Sequence, residues 1–221
     1  DGTSNFETLR FGAGPYLRVD VEGASLVIKD GENGELGTLS GDFAFEQSDG
    51  DTKIGVNNVE ASVDVNEVTG TLEGGKGAMI VTGDGVAGSL EGKLDVEAGG
   101  IEAGGTLVLR FNNTGSAVNN KSVSIGGESV SISFSGPEDV FSASLLGGSL
   151  NIGDVVTIEG DLTFSSQDDY EVFAGNNMTL FVGDGPLNKD GKRNPAARGL
   201  MIKDATIGLV KEGQGDDATY A

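Results

Sequence analysis

The side chains in this sequence best suited to chemistry are carboxylates set beside glycines. Asp30 and Glu32 stand in the run DGENGE, Asp49 and Asp51 in SDGD, and Asp184 and Asp190 each precede a glycine. Calcium takes roughly six to eight oxygen ligands, and flexible Asp/Asn/Gly loops offer carboxylates and carbonyls close together. These six residues are therefore the candidate Ca2+ ligands, and Ca2+ is the one cofactor indicated. None of the runs has EF-hand spacing, and Gly74-Gly75-Lys76-Gly77 opens like a calcium-binding nonapeptide but no Asp follows. Solvated turns are the competing reading, since 35 acidic residues against 14 basic ones place carboxylates in most loops.

Other chemistry is excluded by composition. The chain has no Cys, His or Trp, hence no disulfide, no thiolate or imidazole metal site and no Ser-His-Asp triad. A formal charge of −21 repels phosphate, so nucleic acid is not an expected partner. Paired carboxylates support glycoside hydrolysis in other proteins, but among so many acids some pair must fall at a suitable separation by accident. The one basic cluster, Lys189 to Arg193 with Arg198, sits in a polar loop. No enzyme activity is expected.

The elements that carry these residues read as β-strands. Val, Ile, Thr and Phe alternate with polar residues, and Gly, Asn and Asp punctuate the runs. In LRVDVEGASLVI, Leu17, Val19 and Val21 are odd-numbered, but after Gly23 Leu26 and Ile28 are even. The same switch occurs in SVSIGGESVSISF, from Val123 and Ile125 to Val130, Ile132 and Phe134, and again between Ile202 and Ile207. A change of parity at a glycine marks a bend, bulge or short arc that keeps one face apolar. The expected fold is all-β: a β-solenoid, parallel β-helix-like, of short strands with Gly-rich corners. Tandem Greek-key β-sandwich domains are the alternative, with Asp30-Gly31, Asp84-Gly85 and Asp184-Gly185 as hairpin turns. Helix is expected nowhere, save a brief helical flavour at Asn194 to Arg198.

The chain also repeats itself. FGAGPYLRVDVEGASLVI from Phe11 matches FSGPEDVFSASLLGGSLNI from Phe134. Asp42 to Val63 aligns without a gap to Asp161 to Val182, so that Asp42, Phe45, Asp49, Asn57 and Asn58 coincide with Asp161, Phe164, Asp168, Asn176 and Asn177. Gly77 onward pairs with Gly199 onward. The copies lie about 120 residues apart, within the usual size of a domain. The expected organisation is residues 1–10 as the end of a preceding unit, 11–133 as one unit, and 134–221 as a second, incomplete one. The repeated Asn and Asp positions suit turns, because Asn tolerates left-handed backbone and Asp starts turns. Phe43, Phe45, Phe164, Phe173 and Phe181 read as core, and Tyr16 and Tyr170 as exposed rings.

LSGDFAFEQ from Leu39, KIGVNNVEASV from Lys53 and GDGVAGSLEG from Gly83 resemble the long repeats of very large secreted or surface bacterial proteins, adhesin-like and RTX-type giants. That resemblance implies an extracellular or cell-surface location and a structural or adhesive extender role, often calcium-stabilised, and it transfers no site residues. The partners it implies are neighbouring repeat units, with surface glycans or matrix polysaccharide beyond them. The alternative function is a carbohydrate-binding or polysaccharide-cleaving β-solenoid. Ice binding would want repeated TxT rows, which are absent. No stretch approaches the roughly 18 apolar residues of a membrane span, so membrane insertion is not expected.

Overall fold

A computed structural model describes residues 17–29, 34–48, 50–65, 67–125, 127–137, 140–153, 155–167, 170–186, 193–213 and 219–221. The strands are β1 (Leu17–Lys29), β2 (Glu35–Ser48), β3 (Asp51–Val65), β4 (Val68–Val81), β5 (Val86–Ala98), β6 (Ile101–Asn112), β7 (Val118–Ile125), β8 (Glu128–Phe134), β9 (Val140–Ile152), β10 (Val156–Gln167), β11 (Tyr170–Asp184), β12 (Arg198–Glu212) and β13 (Thr219–Tyr220). Eleven of them form one sheet in chain order, β1 to β6 followed by β9 to β13, and β7 and β8 form a separate hairpin.

The all-β expectation holds, but the solenoid does not. Every described pairing is antiparallel and joins a strand to its neighbour in the order above. A parallel β-helix needs corners that carry the chain onward to a parallel neighbour. Here turns such as Gly99-Gly100 reverse it, joining Ala98 directly to its partner Ile101. The strands are also long: most of those in the sheet have 12 to 15 residues, and the parity switches fall inside them.

The switches within strands of the large sheet are β-bulges. One interrupts β1 between Val21 and Ala24, β3 between Val56 and Val59, β9 at Gly147, and β11 between Gly175 and Met178. At each, one residue takes a left-handed conformation: Gly23 at φ 60°, Asn58 at 50°, Gly147 at 56°, Asn177 at 51°. Strands β4 and β12 carry the same device at Gly74 and Asp204. Strands without a bulge at this line place a glycine on it: Gly41 in β2, Gly92 in β5, Gly105 in β6 and Gly160 in β10. Gly41 and Gly160 sit at φ 150° and 147°, where a side chain is strained, and a Cβ on Gly41 would meet Val59 at 3.0–3.1 Å. A crease thus runs across the sheet, dividing each strand in two.

Register then fixes the faces. Strand β5 is unbroken, so Gly88, Leu90, Leu94 and Val96 share one face. Its partners in β6 are Phe111, Leu109, Gly105 and Ala103. Followed outward, the same face holds Phe43, Phe45, Ile54, Met79, Phe141, Leu145, Phe164, Phe173, Leu180, Ile202 and Leu209. The bulges keep both halves of each strand apolar on this side. Apart from Phe181 and Met201, the opposite face is mostly polar except beneath the hairpin, where Ala44, Ala78, Ile80 and Ala87 pack against Val118, Val123, Ile125, Ile132 and Phe134. That cluster holds most of the buried apolar side chains of the described residues; Val59, Met178 and Phe181 are buried elsewhere in the sheet. Phe45, Phe164 and Phe173, expected in a core, are instead about 40% exposed on the apolar face; only Phe181 is buried, on the polar side.

The switch in SVSIGGESVSISF is not a bulge: Gly127 lies in the tight turn between β7 and β8, which reverses the chain so that each strand brings its own parity. The hairpin fits because its footing is small. A Cβ on Gly55 would come within 2.8 Å of Val123. Arg18 from β1 donates to the Ser124 carbonyl at 2.6 Å and Arg110 from β6 to that of Ser133 at 2.8 Å, with the Arg110 guanidinium 5.0 Å from the Phe134 ring centroid. Buried Asn112 closes the approach to β7, donating to the Ser116 carbonyl and accepting from the Thr114 hydroxyl.

Candidate functional site

The hairpin covers the polar face only on the half of the sheet that holds Leu17, Thr52 and Val81. The other half is open. There β3, β4, β5, β6, β9 and β10 line a shallow trough of about 790 Å3, with Ser62, Asp64, Thr71, Asp95, Glu97, Glu102, Asn151, Thr157 and Glu159 along it. Cross-strand register sets Glu102, Asn151, Thr157, Phe181 and Met201 side by side in one row. A second hollow, about 400 Å3, adjoins the trough and shares Thr157 and Glu159. Its roof comes from the segment after β11. Pro186, Asn194 and Pro195 line it, and Arg193 reaches across to form an ion pair with Glu159.

Two buried polar atoms at this junction have no partner among the described residues: Thr157 Oγ1 and Asn151 Oδ1. The Asn151 amide points its other end at Glu102, Nδ2 lying 3.4 Å from Oε2. A buried hydroxyl or amide left unpaired costs about 1–3 kcal/mol, so each of these atoms has a hydrogen bond that the described residues do not supply. The chemistry offered is that of hydroxyls, amides and carboxylates: hydrogen bonding to a neutral, polyhydroxylated group. Sequence reasoning passes over Thr157 and Asn151, because Thr and Asn at alternate strand positions are ordinary.

The candidate Ca2+ ligands fare differently. Asp30, Glu32, Asp49 and Asp190 lie outside the described residues. Asp51 opens β3 and lies 3.7 Å from Lys121 of the hairpin, whereas Asp184 closes β11 at the opposite end of the strands, so these two cannot share an ion. Among the described residues no three acidic side chains converge as a metal would need.

The repeated Asp and Asn positions do come together, at the crease. Asp42 accepts from the Gly23 amide and from the Asn58 side chain, both at 2.9 Å, stapling β1, β2 and β3. These bonds, the Gly23 amide first, hold its carboxyl below the ordinary aspartate range. In the second passage Asp161 accepts from the Gly147 amide at 2.7 Å. Across the same face, Lys76 pairs with Glu91 at 3.1 Å, and Lys93 with Asp95 at 2.9 Å and Glu73 at 3.6 Å; these carboxylates raise both lysines. The Gly77/Gly199 alignment falls out of register, since Gly77 stands opposite Val56 but Gly199 opposite Gly183. Asp84-Gly85 forms the expected tight turn, with the Thr82 amide donating to the Gly85 carbonyl. Asp184-Gly185 leads into the longer roof segment instead, where Asn194 to Ala197 makes a single turn. Tyr170 is exposed, as expected, and its hydroxyl donates to Glu212. No protein-family model matches the chain, and neither the curated proteins nor the solved structures contain a match.

Proposed function

We propose that this chain is a structural, non-catalytic segment of a large extracellular or cell-surface repeat protein, and that it spans distance by adding strands to one antiparallel sheet. The observation that carries the reading is the order of bulged and regular strands. Strands β1 to β6 run bulged, regular, bulged, bulged, regular, regular; β9 to β12 then run bulged, regular, bulged, bulged. The unit of extension is six sheet strands plus one hairpin laid on the polar face. At about 4.8 Å per strand, each unit advances the sheet by roughly 29 Å. Neighbouring units are its first partners, joined as β6 joins β9, and the carboxylate-rich polar face keeps the array hydrated and apart from its fellows.

The test is geometric. A chain carrying a second copy of residues 17–139 should lengthen in small-angle scattering by about 29 Å without gaining flexibility. A bead-like profile with hinged units would overturn the reading. Calcium at the Asp/Gly turns is a separable part of it: an unchanged melting temperature in chelator removes the cation and leaves the scaffold. A second reading, binding of surface or matrix glycan, is favoured by the Thr157 and Asn151 oxygens in the trough that have no partner among the described residues. Titration with neutral oligosaccharides tests it, with Thr157→Val as the variant that should weaken binding about tenfold; no heat for any glycan class removes it.

A further inference from the structure

The face opposite the hairpin gathers the exposed apolar side chains of the sheet. The exposed large apolar side chains of the described residues, apart from Val27, Leu146, Val155 and Tyr170, all lie on it. Charge is confined to its rim, at positions such as the Lys211–Glu171 pair and Asp184 opposite Arg198, both at strand ends. Ten strands spaced about 4.8 Å apart and about 40 Å long give a face near 1,900 Å2. A stable complex needs about 800 Å2 from each partner, with a charge-depleted centre and a polar rim, and isolated proteins rarely leave so large an apolar patch in water.

We propose that this face is covered by the same face of a second copy of the chain, the two sheets stacking into a β-sandwich. Two sheets of one sequence share the same twist, and aligned packing about 10 Å apart is the standard solution for such faces. Phe45, Phe164 and Phe173, each about 40% exposed, are large apolar rings of the kind that a facing copy would cover. Stacking this way turns both polar faces, both hairpins and most of the −21 charge of each copy outward. An anionic lipid surface would face that charge at the rim, and a single helix would cover only a stripe about 10 Å wide. The proposal does not depend on further units at either sheet edge, so it stands or falls separately from the extender reading.

The experiment is sedimentation of the 221-residue chain across about 0.1–100 µM, with variants at adjacent residues that point to opposite faces. The wild type should sediment as a dimer, Phe164→Lys should weaken association at least about 100-fold, and Ser165→Lys should leave it unchanged. Leu209→Lys, far across the same face, should act like Phe164→Lys, so the result does not hang on one variant's folding; far-UV circular dichroism checks each. Because the chain has no native cysteine, a spin label on Phe164→Cys reads the geometry: label pairs within about 20 Å support the stack. A wild type that stays monomeric at 100 µM with a freely tumbling label overturns the proposal. So does a dimer indifferent to both apolar-face lysines, or a monomer that partitions onto zwitterionic vesicles through Phe164.

Discussion

The two faces of the sheet are built from the same strands, yet they solve burial in opposite ways. On the polar side small residues, Ala44, Gly55, Ala78 and Ala87, make a shallow seat, and the hairpin supplies Val123, Ile125, Ile132 and Phe134 to fill it. On the apolar side the sheet itself carries the large residues, and no other described element covers them. A face that receives a layer is built small, and a face that presents to a layer is built large. The consequence is an uneven distribution of stability, concentrated within a single chain under the hairpin.

The sharpest way to break that comparison is to delete the same kind of mass on each side. Ile80 is 1% exposed beneath the hairpin, and Ile80→Ala should cost about 3 kcal/mol, read as a lower urea midpoint. Val182→Ala, on the apolar face and 42% exposed, should cost under about 1 kcal/mol when measured at dilution sufficient to keep chains apart. At high concentration the difference should shrink, since stacking would bury Val182 as well. Equal losses at every concentration would mean that the two faces are already equally covered.

The crease links the two sides, and Gly41 tests it. At φ 150° and against Val59, Gly41→Ala should cost about 1–3 kcal/mol from backbone strain and the close approach. Gly160, at φ 147° and against Met178, should lose a similar amount in Gly160→Ala. A large loss at one site and none at the other would show that the two ends of the crease bear different loads.

How much of this was legible follows from what alternation can encode. The period of two, the parity switch at Gly23 and the suitability of Asn58 and Asn177 for left-handed backbone all read directly from the residues. The direction of pairing did not, because alternation looks the same in parallel and antiparallel sheets; only the turn geometry at positions such as Gly99-Gly100 separates them. Asn57-Asn58 looked like a corner, since the sequence does not reveal that the strand continues through a bulge. The large aromatics looked like core for a related reason: alternation says that a face is apolar, not that anything covers it. Thr157 and Asn151 left no signal, because their interest lies in side-chain oxygens that no described residue pairs with.

The smallest expected effect is the one that tests why Asp recurs at the crease. Asp42 is held below its ordinary pKa by the Gly23 amide and Asn58, so the unfolded chain takes up this proton before the folded one does. Its contribution is therefore whole above about pH 4 and is lost as pH falls through the lowered folded value. In Asp42→Asn the side-chain oxygen can still accept from the Gly23 amide, but the charge is gone and with it this part of the acid dependence. Wild type and Asp42→Asn should differ most in urea midpoint near neutral pH and converge as the pH falls through the lowered folded value. Parallel curves would mean that the staple works through hydrogen-bond geometry alone and that the recurrent carboxylate charge adds nothing to the fold.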